Sequence, residues 1–396
     1  MMKDVSVTEE MDFTALAFGG NAVARRTSGK VCFVPGVIPG ERALVRVTEE
    51  KKNYSCGELV SILSPSGQRV ETSCPAACPG CPYAMMEYSL ELQWKNRQLE
   101  EFIKRLKKME VKELLPAQGS PERRYWRNKI SLHLSHGQLC YIGGDNKSMI
   151  PVKECPIASK QINQALQDGV WKKYIGNMKE GKITFRSTAR DGVCIYTQKK
   201  DGEKILTENS GSLGAFQVEK RSFFQINTFM APVLAEHFLD TVRPLKVKQM
   251  VELYCGCGVF SVLAAEKLHI PCCGIELDEK AVILAEENAK NHSVQTHCRF
   301  YAGDAGKVMK KLYGRNALPS GTLLLVDPPR TGLEGNALSS LLSSEPDFII
   351  YISCNPATLM RDLEILAEKY TAEKIGLLDM FPSTAHFETL VLLKHK

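Results

Sequence analysis

Three textures follow one another along this 396-residue chain: short alternating strands cut by glycine and proline, a mixed stretch without repeat, and strict strand–helix alternation from residue 249. Together they predict a multidomain protein with an N-terminal small β-barrel, a central α+β domain and a C-terminal α/β domain. The boundaries fall at 1–63, 64–225 and 226–396. With 44% hydrophobic and 24% charged residues, the chain has enough apolar content to fill such cores.

The barrel is read from KVCFVPGVIPGERALVRVTEEKKNYSCGELVSIL (30–63). Val45 and Val47 alternate with Arg46 and Thr48, as a half-buried strand requires. Gly36, Pro39, Gly40 and Gly57 separate short strands, and so many strands in about sixty residues fit an OB-like barrel better than a sandwich. Arg25, Arg26, Lys30, Arg42, Arg46, Lys51 and Lys52 give it a basic surface, which is either ordinary solvated charge or a track for an RNA backbone.

The linker SPSGQRVETSCPAACPGCPYA (64–84) precedes a helix predicted over 87–110. Leu92, Leu99, Phe102, Ile103 and Leu106 share one helical face, expected to pack on the C-terminal domain. Lys95, Arg97, Lys104, Arg105, Lys107 and Lys108 cover the other side as a solvated face. KISLHLS and GVCIYTQ read as strands, with turns at Asp191-Gly192 and Asp201-Gly202.

In the last section QMVELY, CCGIEL, HCRFYA, TLLLVD and DFIIYIS are strands, VFSVLAAEKL and EKAVILAEENAKN helices, and KIGLLDMF with FETLVLLK a terminal hairpin. Such alternation builds a doubly wound, mostly parallel sheet with ligands at the strand C-termini. Gly256 and Gly258 occupy the first strand-to-helix turn, and Glu276 follows about twenty residues later, where an acid bonds ribose hydroxyls. Ser261 stands where a dinucleotide site needs a third glycine. S-adenosylmethionine, which has no phosphate, fits this turn better than NAD. Asp304 is either a turn residue or a contact to adenine.

Two more strand ends carry chemistry. LLLVDPPRTGL presents Asp327 on a backbone stiffened by two prolines. Arg330 stands where amino-group methyltransferases carry a base-stacking aromatic, which argues against exocyclic amine chemistry. In FIIYISCNPATLMRD (348–362), Asn355 and Pro356 fit a helix cap and first turn, so Cys354 lies between a buried strand and a helix. A helix N-terminus favours thiolate over thiol, the form a nucleophile needs.

The start MMKDVSVTEE lacks a secretory pattern and no apolar run reaches ~18 residues, so a cytoplasmic protein without membrane spans is expected. Fourteen cysteines in a reducing compartment point to metal ligation or catalysis. A net charge of +6 is compatible with a nucleic-acid partner.

FFQIN (223–227), ELYCGCG (252–258), DPPRTGL (327–333), SCNP (353–356) and HFET (386–389) together resemble the RNA uracil-C5 methyltransferases. FVPGVIPGER (33–42) resembles the TRAM barrel of that family's 23S ribosomal RNA branch, and CPAACPGC with Glu154-Cys155-Pro156 resembles its iron–sulfur site. The resemblance implies Cys354 as nucleophile and Glu388 as base. It implies S-adenosylmethionine contacts from Gln225, Tyr254, Glu276, Asp304 and Asp327, and a [4Fe–4S] cluster on Cys74, Cys78, Cys81 and Cys155. A monomer acting on 23S rRNA is expected, with transfer RNA as the alternative substrate.

The spacing CxxxCxxC also belongs to radical S-adenosylmethionine enzymes, but Cys155 supplies a fourth ligand and the sheet its own cofactor motifs. Zinc on four thiolates is a further alternative. A non-catalytic RNA-binding protein is the reading from another class, set against the intact Cys354, Asp327 and Glu388. Cys255, Cys257, Cys272, Cys273 and Cys298 are expected to be small core residues.

Overall fold

The computed structural model describes residues 7–75, 78–198, 202–209, 211–314 and 317–396. The first six residues, the Ala76-Ala77 pair of the cysteine run and Asp201 of the second turn dipeptide lie outside the described residues. The chain forms two compact units. One comprises Met1–Glu100, Cys140–Val152 and Phe381–His386, and the other Glu101–Leu139, Lys153–Met380 and Phe387–Lys396.

In the first unit β1 (Thr8–Leu16), β2 (Ala22–Arg25), β3 (Val31–Val34), β4 (Arg42–Glu50) and β5 (Tyr54–Ser64) close a barrel in the order β1-β2-β3-β5-β4. Alternation sets its inside: Met11, Phe13, Ala43, Val45 and Val47 are buried, while Arg42 and Arg46 face out. Gly57 is required by packing, because a Cβ there would come within 2.5 Å of Val45. The basic surface is not what the list of arginines and lysines implied. Arg26 pairs with Glu9 and Glu50, Lys30 with Glu50, Arg42 with Glu10, Arg46 with Glu58 and Lys51 with Glu49. Seven basic residues between 7 and 64 are matched by seven carboxylates, so the barrel is neutral.

The helix α1 spans Tyr88–Lys104, shorter than the expected 87–110. Its buried face runs through Leu90, Glu91, Trp94, Lys95, Gln98 and Leu99, so of the apolar face read from sequence only Leu99 is fully buried by its first-unit portion. Lys95, expected in solvent, is buried instead. It pairs with Glu91 at 2.8 Å and donates to the Phe381 carbonyl at 3.2 Å, while Glu91 accepts from the Ser383 N–H at 2.6 Å. Charge type misled the reading: a lysine with a carboxylate one turn away can be buried as a pair.

In the second unit β6 (Lys129–Ser135) pairs with β9 (Gly181–Thr188), and β9 with β10 (Gly192–Thr197), all antiparallel; the hairpin of β7 (Gln138–Ile142) and β8 (Met149–Pro151) intervenes in sequence. The helices α2 (Lys160–Gln167) and α3 (Lys172–Ile175) precede β9, and β11 (Ile205–Asn209) with β12 (Ala215–Glu219) forms a further hairpin. Then α4 (Met230–Val242) leads into the large sheet.

That sheet alternates β13 (Gln249–Leu253), α5 (Val259–Leu268), β14 (Cys272–Glu276), α6 (Glu279–Asn291), β15 (Cys298–Ala302), α7 (Ala305–Tyr313), β16 (Thr322–Val326), α8 (Gly335–Ser344), β17 (Phe348–Ser353) and α9 (Pro356–Leu366). It ends with β18 (Tyr370–Leu378) and β19 (Glu388–His395). The strand order is β15-β14-β13-β16-β17-β19-β18, parallel except that β19 is antiparallel to both neighbours. The hairpin expected at the end is therefore part of the sheet, with its second strand inserted beside β17. Continuous apolar runs such as TLLLV and FIIYIS suit strands covered on both faces.

Candidate active site

The order of the sheet reverses beside β13, and the turns after β13, β14, β15, β16 and β17 lie at one edge. In the turn after β13, Tyr254 has φ +65°, Gly256 +53° and Gly258 +82°. Gly258 has no room for a side chain, since a Cβ would meet Ala285 and Phe300 at 3.0 Å. Gly256 faces open space, which leaves its backbone free for close approach by a ligand. Gln225, Tyr254, Gly256, Phe260 and Asp327 line one cavity.

Glu276 ends β14 and is tied to that turn. It accepts from the Gly256 N–H at 3.0 Å and from the Leu277 and Asp278 N–H groups at 2.7 and 3.0 Å. Three of a carboxylate's roughly four acceptor positions are thus engaged, and one is left for a hydroxyl. Asp304 caps α7, accepting from the Lys307 N–H at 2.9 Å. Neither Glu276 nor Asp304 lines the cavity that gathers Gln225, Tyr254 and Asp327. The missing third glycine also has a physical counterpart. Ser261 directs its N–H (2.9 Å) and its hydroxyl at the carboxyl of buried Glu252, so this first turn of α5 serves an internal acid.

Cys354 follows β17, and Glu388 opens β19. Ser353 faces Thr389 across the antiparallel ladder, and the Thr389 hydroxyl donates to the Ser353 carbonyl at 2.9 Å. Nucleophile candidate and base candidate are therefore positioned by adjacent strands running in opposite directions. Asn355 caps α9 as expected, accepting from the Ala357 N–H at 3.1 Å, with Leu359, Leu363 and Leu366 buried below.

The expectation of a ready thiolate needs correction. The helix begins after Cys354, its first residue Pro356 has no N–H, and Asn355 takes the next donor. Burial, then the charge of Glu388, pushes the Cys354 thiol up to about 11; Arg330 pulls it down, by charge and by a hydrogen bond, and Asp327 pushes it up. Burial likewise raises Asp327 to about 7. Glu388 lies well above the usual carboxyl range through burial and the Asp327 charge, with Arg330 opposing. In the free protein this edge prefers protonated groups.

Cys74, Cys78 and Cys81 are half-buried in a loop of the first unit, and Cys155 belongs to the second. Asn163 fixes the backbone of Cys155 from both sides, accepting its N–H at 2.8 Å and donating to its carbonyl at 3.0 Å. Among the described residues no group of three or more His, Cys, Asp or Glu side chains is gathered to hold a metal ion. Cys255, Cys257, Cys272 and Cys298 are buried, and burial pushes all four thiols upward, Cys257 and Cys298 to about 12. Cys273 is only half-buried.

Sequence reasoning overlooked Asp362. This buried acid accepts from the Leu333 N–H at 2.8 Å and from the Tyr351 hydroxyl at 2.7 Å, fastening the DPPRTGL turn to α9. The signal was present: Asp362 falls three residues after Leu359 and four before Leu366, on the apolar face of the helix.

Among the described residues no helix is long and apolar enough to cross a membrane. The profile of the tRNA (Uracil-5-)-methyltransferase family matches residues 203–396, and that of the TRAM domain residues 4–60. An uncharacterized RNA methyltransferase of Protochlamydia amoebophila is 30% identical, with 97% of each chain covered. Another from Thermosynechococcus vestitus is 29% identical over 98% of each. The fold is shared with the tRNA (uracil-54, C5)-methyltransferase of Pyrococcus abyssi, solved in complex with S-adenosyl-L-homocysteine. That structure superposes with a TM-score of 0.75 at 21% identity, covering 97% of this chain and all of the other. The chain therefore belongs to the RNA uracil-C5 methyltransferase family and carries a TRAM domain at its N-terminal end.

Proposed function

We propose that the protein methylates C5 of a uridine in RNA, with Cys354 as nucleophile and Glu388 as base. The observation that carries the reading is the convergence of Cys354, Glu388 and Asp327 at one edge of the sheet, where their charges act on one another. S-adenosylmethionine supplies the electrophilic methyl group. Gln225, Tyr254 and Asp327 would hold it in the cavity, with the free acceptor of Glu276 toward ribose hydroxyls and Asp304 toward the adenine. The bare, open Gly256 fits such a ligand.

Uracil C5 is a poor nucleophile until the ring is activated. Cys354 gives up its proton and adds to C6, moving the C5–C6 π electrons onto O4 as an enolate. The enolate C5 then attacks the methyl carbon, and the sulfonium leaves with the bonding pair. Glu388, as carboxylate, removes the C5 proton; the electrons re-form the C5–C6 bond and expel Cys354 as thiolate. Uridine and donor become 5-methyluridine, demethylated donor and one proton.

Two variants test the order of steps. Cys354→Ala should form no covalent complex with RNA and transfer no methyl group. Glu388→Gln should still attack and transfer methyl, then stall, so a protein–RNA adduct survives denaturing electrophoresis. An adduct with Cys354→Ala would move the nucleophile elsewhere, and full turnover by Glu388→Gln would assign the proton to another base.

For the substrate, the TRAM barrel and the cysteine run support 23S ribosomal RNA, whereas the description of the matching family favours transfer RNA. Mapping 5-methyluridine in both RNAs from cells with and without the gene decides between them. Cys74, Cys78, Cys81 and Cys155 remain the donors for a [4Fe–4S] centre, supported by their number and spacing. Iron and sulfide analysis of anaerobically purified protein tests it: stoichiometric zinc, or no metal, would overturn the cluster.

A further inference from the structure

The mechanism needs a thiolate, yet burial and two carboxyls oppose one at Cys354. One group works in the other direction. Arg330 lies in the turn after β16, and its carbonyl accepts from the Asn355 Nδ2 at 3.0 Å and from the Thr358 hydroxyl at 3.2 Å. Both donors belong to the cap and first turn of α9, so the Arg330 backbone is fixed against the residue next to the nucleophile. The clamp continues along the turn: Arg361 donates to the Thr331 carbonyl at 3.0 Å, and Asp362 takes the Leu333 N–H. Gly332, at φ +78°, lies so close to α9 that a Cβ would come within 2.6 Å of Arg361 and Asp362. From this held position the Arg330 guanidinium acts on the Cys354 sulfur and favours its ionised form. Glu388 from β19 and Asp327 from the same turn as Arg330 are the negative groups acting on that sulfur.

We propose that Arg330 is a further catalytic residue, its guanidinium donating to the Cys354 sulfur and lowering the cost of the thiolate before attack and again on elimination. The inference rests on Cys354 being the nucleophile. A guanidinium suits the task because it stays charged while facing two acids and presents several donors in a fixed fork. The proton lost from the thiol passes to solvent, and the same donor receives the negative sulfur when the C6–S bond breaks. The two prolines before Arg330 acquire a purpose as well: they stiffen the lever that carries the cation.

The test needs no RNA. Cys354 alkylation by iodoacetamide is followed by peptide-resolved mass spectrometry on the full-length protein, from about pH 6 to about pH 10. Only thiolate reacts, so below a midpoint of about 11 the rate follows the thiolate fraction, and displacement of that rate profile along the pH axis reads the shift in midpoint. Arg330→Met and Arg330→Gln, two neutral replacements at an exposed side chain, should move the pH midpoint upward by about one unit, which is roughly a tenfold slower reaction at neutral pH. Arg330→Lys, which keeps a charge but not the fork, should recover most of that loss. Circular dichroism confirms that each variant is folded. An unshifted midpoint in the neutral variants, with or without weakened RNA binding, would overturn the proposal and leave Arg330 an RNA contact only. A shifted midpoint together with an adduct formed by Cys354→Ala would uphold the effect of Arg330 on the thiol while refuting Cys354 as nucleophile, so the two failures are distinguishable.

Discussion

The barrel and the edge of the large sheet treat charge in opposite ways. On the barrel, Arg42, Arg46 and Lys51 each meet a glutamate in solvent, and the region sums to neutral. At the sheet edge, burial raises Glu252, Asp327 and Glu388 above the usual carboxyl range. Exposed pairs gain little and can be lost without consequence. Buried acids held near one another tend to mark chemistry, because folding would not retain them for stability alone.

The largest expected break in this comparison is at Glu388. Its replacement by Gln should slow turnover by about a hundredfold to ten-thousandfold, measured as release of methylated RNA over many turnovers at saturating RNA. Next comes Asp362→Ala, which strips the DPPRTGL turn of its anchor and leaves the Leu333 N–H and Tyr351 hydroxyl without their acceptor. A loss of about 2–4 kcal/mol in urea unfolding is expected, together with reduced activity. The pH dependence sharpens the contrast further. Cys354 is raised to about 11 and Asp327 to about 7, so adduct formation should climb with pH through neutrality and continue upward in mild alkali. A flat profile between about pH 6 and about pH 9 would contradict the proton inventory.

Glu252 offers a subtler readout. Burial raises its carboxyl to about 8, so the folded state binds this proton more tightly than the unfolded chain. Its stabilising effect is complete below the ordinary carboxyl value and is lost as pH rises to about 8. Glu252→Gln, still an acceptor for Ser261, should remove that decline, and its melting temperature should gain on wild type between about pH 5 and about pH 8. The smallest effect belongs to the barrel: Arg46→Ala should change stability by less than about 0.5 kcal/mol, because Arg46 and Glu58 are both more than half exposed.

Much of the fold was legible because strand ends in this protein are marked by unusual residues. Glycines after β13, the double proline after β16 and Asn-Pro after β17 each fix a turn whatever lies around it. The burial of Lys95 and Asp362 was not legible by residue type, since each is retained inside by partners far away in sequence or by a helix periodicity that charge conceals. The protonation of Cys354 was misjudged for a related reason. Local sequence announced the helix start, whereas the opposing acids arrive from β16 and β19.

The antiparallel insertion of β19 carries one more consequence. The separation between Cys354 and Glu388 is counted in ladder rungs, from Ser353 opposite Thr389, and owes nothing to how many residues connect β18 to β19. That connection is held for a different reason, since its Phe381 carbonyl and Ser383 N–H serve the buried Lys95 and Glu91. Removing a single residue between Thr389 and Lys394, by contrast, slips the register and turns Glu388 to the other face of the sheet. Single-residue deletions just behind Glu388 should therefore abolish turnover, which a deep mutational scan including such deletions would display directly.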